Sequence, residues 1–241
     1  CGAWQQRLRD ARGRESFATP DTQPQARAER LRVHTYDVTE LLSDGENVIG
    51  AWLGDGWYRG RLGFTHHGHT FDMYGDDLSL IAQLEVTHAD GSVTTIATDA
   101  SWEAHPSPIL RSGLYDGEAY DARQEVERWS APGSSREGWS AVATRPAHPE
   151  RFVAPEGPAV RCTQTLHPVE VLTSPAGHRI LDFGQNFTGR VRITVRGEAG
   201  DTVTLRTAEV MQEGEIYTRP LRAAKSTDVY TLKGGGAETW E

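Results

Sequence analysis

The stretch Leu78–Thr98 reads LSLIAQLEVTHADGSVTTIAT. Leu78, Leu80, Ala82, Leu84 and Val86 share one parity, whereas Ser79, Gln83, Glu85 and Thr87 share the other. Successive side chains of a strand point to opposite faces, so this period of two predicts a half-buried strand. Ala89-Asp-Gly-Ser92 supplies an Asp-Gly turn, and Val93–Thr98 returns the chain as the second arm of an antiparallel hairpin. Trp102, just beyond, is expected to anchor a core.

The same grammar recurs on both sides. Downstream, Val191, Ile193 and Val195 alternate with Arg190, Arg192, Thr194 and Arg196, and Gly197–Asp201 turns the chain into Val203 and Leu205. A second hairpin is predicted there. Upstream, order is expected to begin with a strand at Leu31, followed by a short helical turn over Asp37–Leu42, turn residues Ser43–Asn47, and a buried strand over Val48–Leu53. No stretch sustains a helical period and no repeat of fixed length appears. The predicted fold is therefore all-β, with two antiparallel, jelly-roll-like β-sandwich domains.

Composition places the limits of the two domains. Residues 1–30 hold six Arg and four acidic residues with no apolar period, and read as poorly ordered. Residues 31–145 make the first sandwich. The Pro-rich stretch 146–159 suits a semi-rigid connector better than a sheet interior, and 160–241 make the second sandwich. The chain starts at Cys1 and stops at Glu241 directly after a strand and a Gly-rich turn, so both ends read as cut.

The 241 residues are 37% hydrophobic and 24% charged, as in ordinary soluble domains. A net charge of -9 disfavours nucleic acid as a partner, because phosphate backbones are bound by clustered Lys and Arg. No apolar run of about 18 residues offers a membrane span. The two cysteines, Cys1 and Cys162, are too few for a disulfide framework or a four-Cys metal site. A nucleophile elbow, a phosphate loop and a dinucleotide fingerprint are all missing.

Three clusters could carry chemistry. Leu53-Gly-Asp-Gly-Trp-Tyr-Arg-Gly60 follows an apolar strand and sets two aromatics and a carboxylate between glycines. Sugars stack their C–H faces on aromatic rings while carboxylates and guanidinium groups fork to their hydroxyls, so Asp55, Trp57, Tyr58 and Arg59 form a candidate carbohydrate-contact set. Against this stands the ordinary fate of aromatics, which is to pack beneath a loop.

The second cluster, Tyr115–Arg123, holds Tyr115, Asp116, Glu118, Asp121 and Arg123. Glycosidic acid and base work needs two carboxylates roughly 5 to 9.5 Å apart, which these could supply. The favoured alternative is an interdomain ion-pair network with Arg123 held by Asp116 or Asp121, because structural pairs outnumber active sites. In the third cluster, Asp182–Gly189, glycines and the amides of Gln185 and Asn186 interrupt an apolar strand. A bulge or close backbone approach is expected, and the amides suit either a sugar hydroxyl or a neighbouring backbone. His66, His67 and His69 lack partners at zinc spacing. Asp72, Asp76 and Asp77, with carbonyls nearby, are weak calcium candidates, since that ion accepts many oxygens in irregular geometry.

Taken in order, Thr35–Leu42, Gly45–Val48, Leu53–Gly60, Tyr74-Gly-Asp76, Tyr115–Glu118, Tyr120–Arg123, Asp182–Phe187, Thr227-Asp228 and Tyr230–Gly236 resemble the bacterial α-L-rhamnosidases of glycoside hydrolase family 78. The resemblance runs through most of the chain. It implies an N-terminal jelly-roll sandwich, a second sandwich, and then an (α/α)6 barrel that hydrolyses terminal α-L-rhamnose with inversion. The inverting carboxylates would lie in that barrel, outside residues 1–241, so none of the carboxylates named above would be catalytic. It also implies rhamnose-containing glycosides and the chain's own catalytic domain as partners, and a first sandwich that in some members binds rhamnose with calcium. Residues 1–30 depart from the family, which normally places further strands there.

Overall fold

The computed structural model describes residues 6–9, 15–18, 30–61, 71–72, 74–158 and 160–241, the first two segments as backbone strands. The hairpin expected at Leu78–Thr98 forms from Gln83–Thr87 and Val93–Ala97, antiparallel from Gln83 opposite Ala97 to Thr87 opposite Val93. Its turn is held by the Asp90 carboxylate, which accepts from Ser92 N and Oγ, and Gly91 takes a φ of +83°. Leu84 and Val86 are half-buried while Gln83, Glu85 and Thr87 are exposed, as the parity demands. Only the partner arm departs from this alternation: Val93 and Ile96, which point to opposite faces of the ribbon, are both exposed.

Two sheets build the core. One is ordered Thr202–Arg206, Thr227–Thr231, Gly117–Asp121, Ile109–Gly113; the other pairs Ile193–Arg196 with Ala237–Trp240. Their apolar side chains meet in one cluster. Tyr120, Ala122, Tyr230, Leu232 and Trp240 are buried, with Trp52, Ile109, Ile193, Val195, Val203 and Leu205 packed against them. Aromatic rings dominate: Tyr120 lies 5.7 Å from Tyr230, and Tyr230 lies 5.3 Å from Trp240. Such pairs contribute about 0.5–1.5 kcal/mol each beyond burial. Glu238, buried beside them, accepts from Tyr230 Oη, Lys233 N and Gly234 N.

One pairing in the larger sheet is parallel. Thr227–Thr231 runs alongside Gly117–Asp121, with Tyr230 opposite Tyr120, so strands from before and after the Pro-rich stretch share a sheet. Within that stretch Phe152–Val153 pairs in parallel with Leu31–Arg32.

Several expectations need correction. The hairpin across Gly197–Asp201 does not form, because Ile193–Arg196 pairs with Ala237–Trp240 and Thr202–Arg206 with Thr227–Thr231. The turn instead crosses between sheets, tied through Gly200 N to Leu232 O and Leu232 N to Asp201 O. Alternation reports that each strand has a buried face; it is silent on the partner. Within 1–30, read as poorly ordered, Gln6–Arg9 pairs antiparallel with Glu15–Ala18 and with Gly50–Trp52. The remainder of that segment lies outside the described residues. The strand expected over Val48–Leu53 is shorter, Gly50–Trp52, and only half-buried. Trp102 is also half-buried, donating from Nε1 to Ala97 O instead of filling a core.

Candidate functional site

The Leu53–Gly60 segment leaves the Gly50–Trp52 strand and closes one helical turn, Gly56–Arg59, against the Ile109–Gly113 strand. Glycine makes the approach feasible at Gly60, where a Cβ would lie 2.3 Å from Gly56 O and 3.5 Å from Gly113 Cα. Asp55 and Ser112 lock the contact reciprocally: Asp55 N donates to Ser112 Oγ at 2.9 Å, and Ser112 N donates to Asp55 Oδ2 at 2.9 Å. Asp55 Oδ1 accepts from Arg59 Nε at 2.7 Å. Both carboxylate oxygens are thus engaged within the protein.

A second anchor lies alongside. Asp116, buried in the turn between two strands of the larger sheet, receives a fork from Arg61, with Nη2 to Oδ1 at 2.6 Å and Nε to Oδ2 at 3.1 Å. Arg61 also donates to Ala223 O at 2.6 Å and stacks over the Tyr115 ring, so one guanidinium joins three segments distant in sequence. The chain returns at Phe71–Asp72, where Asp72 N donates to Arg59 O and Asp72 adopts a φ of +58°.

Between these anchors opens a hollow of about 170 Å³, lined by Asp55, Arg59, Gly60, Arg61, Phe71, Asp72, Arg111, Gly113 and Asp116. It brings together members of separate sequence clusters: Asp55 and Arg59 from the first, Asp116 from the second, and Asp72 from the calcium candidates. Arg61, Phe71 and Arg111 are additions that no motif announced. Arg111 is the distinctive one, since its Nε is shut off from solvent and has no hydrogen-bond partner among the described residues. Asp228 lies close enough to feel its charge. Burial raises the Asp228 carboxyl above its ordinary value, opposed by the Glu118 N–H and by Arg111.

Other sequence candidates fall elsewhere. Trp57 is half-buried and Tyr58 exposed beside Gly75, and neither lines the hollow. Asp121 is forked by Arg123 at 2.9 and 2.8 Å and also accepts from Gln124, which holds its carboxyl far below the usual range. Glu118 contributes its backbone N–H to Asp228 Oδ1 at 2.7 Å. Gln185 and Asn186 are exposed in the bend after the Arg179–Asp182 strand, where Asp182 Oδ1 accepts from Gly184 N.

Asp77 is paired with Arg145, and Asp76 offers its carbonyl to Arg59 Nη1 at 3.4 Å. Among the described residues no three His, Cys, Asp or Glu side chains gather as a metal site. His66, His67 and His69 lie outside the described residues. No described helix is long and apolar enough to cross a membrane.

The fold defines an all-β protein of mainly antiparallel sheets, with a small hollow lined by charged side chains and Phe71 among the described residues. Family models agree with it: residues 17–164 match the alpha-L-rhamnosidase N-terminal domain, and residues 172–241 match the bacterial alpha-L-rhamnosidase concanavalin-like domain. The chain belongs to the bacterial α-L-rhamnosidase family. It is 43% identical over 215 residues to an alpha-L-rhamnosidase of Streptomyces avermitilis, covering 88% of this chain and 20% of that protein. Against an alpha-L-rhamnosidase of an Alteromonas species it is 36% identical, covering 87% of this chain and 23% of that protein. The chain thus spans about a fifth of the length of these relatives.

Solved structures match throughout. The Aspergillus terreus α-L-rhamnosidase superposes with a TM-score of 0.88 at 39% identity, covering all of this chain and 29% of that one. The Streptomyces avermitilis enzyme, complexed with L-rhamnose, superposes with a TM-score of 0.87 at 39% identity, covering all of this chain and 23% of that one.

Proposed function

We propose that this chain is the accessory, carbohydrate-contacting part of an α-L-rhamnosidase, in which hydrolysis of terminal α-L-rhamnose with inversion is carried out by carboxylates beyond these residues. The carrying observation is the hollow. An apolar ring, Phe71, stands there beside guanidinium and carboxylate groups, the combination that grips a sugar by its C–H face and its hydroxyls. Catalysis elsewhere is supported by how the carboxylates are used: Asp55, Asp116 and Asp121 are each tied to an arginine. Such pairs engage the carboxylates within the protein.

Calcium belongs to the proposal through the family resemblance, with Asp72 the side chain the hollow offers it. Calorimetric titration of L-rhamnose, with and without calcium, tests the reading. Saturable heat is expected, and a flat titration under both conditions overturns it. An aryl rhamnoside assay tests the catalytic half. Turnover by this chain that disappears in Glu118→Gln would refute the placement of catalysis elsewhere.

A second reading, a structural seat for the rest of the enzyme, is favoured by apolar residues in or beside strands that are left in solvent. Val169 is 71% exposed, and Val171 and Val93 are each 59% exposed. Patches of that kind commonly mark protein contacts. This reading expects no sugar response at all.

A further inference from the structure

The lining of the hollow is electrically uneven. Arg59 is bound to Asp55 and Arg61 is bound to Asp116, so those charges are neutralised within the wall. Arg111 is different: among the described residues its Nε is desolvated and unpartnered, a condition few buried donors tolerate. Asp228, the carboxylate whose titration senses it, is turned to another donor, the backbone N–H of Glu118, at 2.7 Å. Asp72, the remaining carboxylate of the lining, is exposed and therefore screened by water.

Nε itself is out of a ligand's reach, but Arg111 lines the hollow and is paired with no carboxylate among the described residues, and a carboxylate is the group that matches the rest of its guanidinium. The volume of about 170 Å³ is below that of a drug-sized pocket, which suits one sugar ring or less. Combining the acceptor that Arg111 lacks with the apolar contact at Phe71, we infer that the hollow takes a carboxylate-bearing sugar, a uronate, with the carboxylate on Arg111. This rests on the carbohydrate reading of the same hollow and sharpens it from neutral to acidic sugar.

The test titrates the 241-residue chain with D-glucuronate, D-glucose, L-rhamnose and acetate, and repeats the series on Arg111→Met and Arg111→Lys. Glucuronate is expected to bind more tightly than glucose, to weaken as salt is raised, and to shift the Nε–Hε resonance of Arg111. In Arg111→Met its affinity should fall at least about tenfold, the loss expected for a charge-assisted hydrogen bond, with partial recovery in Arg111→Lys. Near-ultraviolet circular dichroism checks that both variants stay folded; if Arg111→Met does not, the Arg111 resonance and the lysine variant carry the decision.

Glucuronate binding no better than glucose, or untouched by the substitution, overturns the acidic preference while saturable rhamnose or glucose binding leaves the carbohydrate reading standing. Acetate matching glucuronate overturns the sugar part of the inference. No response to any ligand overturns both.

Discussion

Asp116→Ala should destabilise the chain by about 3 kcal/mol. The Asp116 side chain is 7% exposed and that of Arg61 is 18% exposed, so this is a largely buried pair. Removing one partner of such a pair costs roughly 3–5 kcal/mol, because the remaining charge stays buried without compensation. Arg61 keeps Ala223 O and the Tyr115 ring, which puts the expected loss near the lower end of that range. For a chain of this size each kcal/mol lowers Tm by roughly 2–4 °C, giving a drop of about 6–12 °C.

Urea and thermal unfolding followed by circular dichroism measure it, with the Arg61→Met and Asp116→Leu double substitution as a control. That double variant should recover most of the loss, since apolar replacement of a buried pair is often neutral. A loss in Asp116→Ala under about 1 kcal/mol, the value of an exposed pair, would refute the view that this clamp holds the hollow's wall.

Leu232, 2% exposed at the centre of the cluster, should lose about 2–5 kcal/mol on substitution to alanine, readable as a lower urea midpoint. Glu238→Gln sets an amide NH2 against one of the three donors that converge on the carboxylate, and should cost about 1–3 kcal/mol at neutral pH. Burial pushes the Glu238 carboxyl up, but its hydrogen bonds together hold it below its ordinary value. Its stabilisation is therefore present above the unfolded-state pKa and lost as pH falls through the folded one, so the gap in Tm between parent and Glu238→Gln should narrow on acidification below about pH 4.

Asp228 has the opposite sign, raised chiefly by burial. Its charge weakens the fold at neutral pH, and protonation restores that stability as pH falls from the raised folded value to the ordinary one. Asp228→Asn, which can still accept from Glu118 N, should have the higher Tm at neutral pH, with the difference closing in acid. Equal melting at neutral pH would contradict this.

Residue pattern alone settled the class of fold and the hairpin at Gln83–Ala97, because a period of two and an Asp-Gly turn are local properties of the chain. It also named Asp55, Arg59 and Asp116, since glycine-flanked charged residues are conspicuous in a linear reading, and Asp72, as one of a run of nearby aspartates.

Tertiary structure alone decided which strands pair. Ile193–Arg196 and Thr202–Arg206, five residues apart, go to different sheets, whereas Tyr120 and Tyr230 become neighbours in register. It alone also singled out Arg111, an ordinary strand arginine in the sequence, whose Nε is buried without a partner among the described residues. Alternation encodes how each strand is buried, but pairing and desolvation depend on contacts between distant segments, and those exist only once the chain has closed on itself.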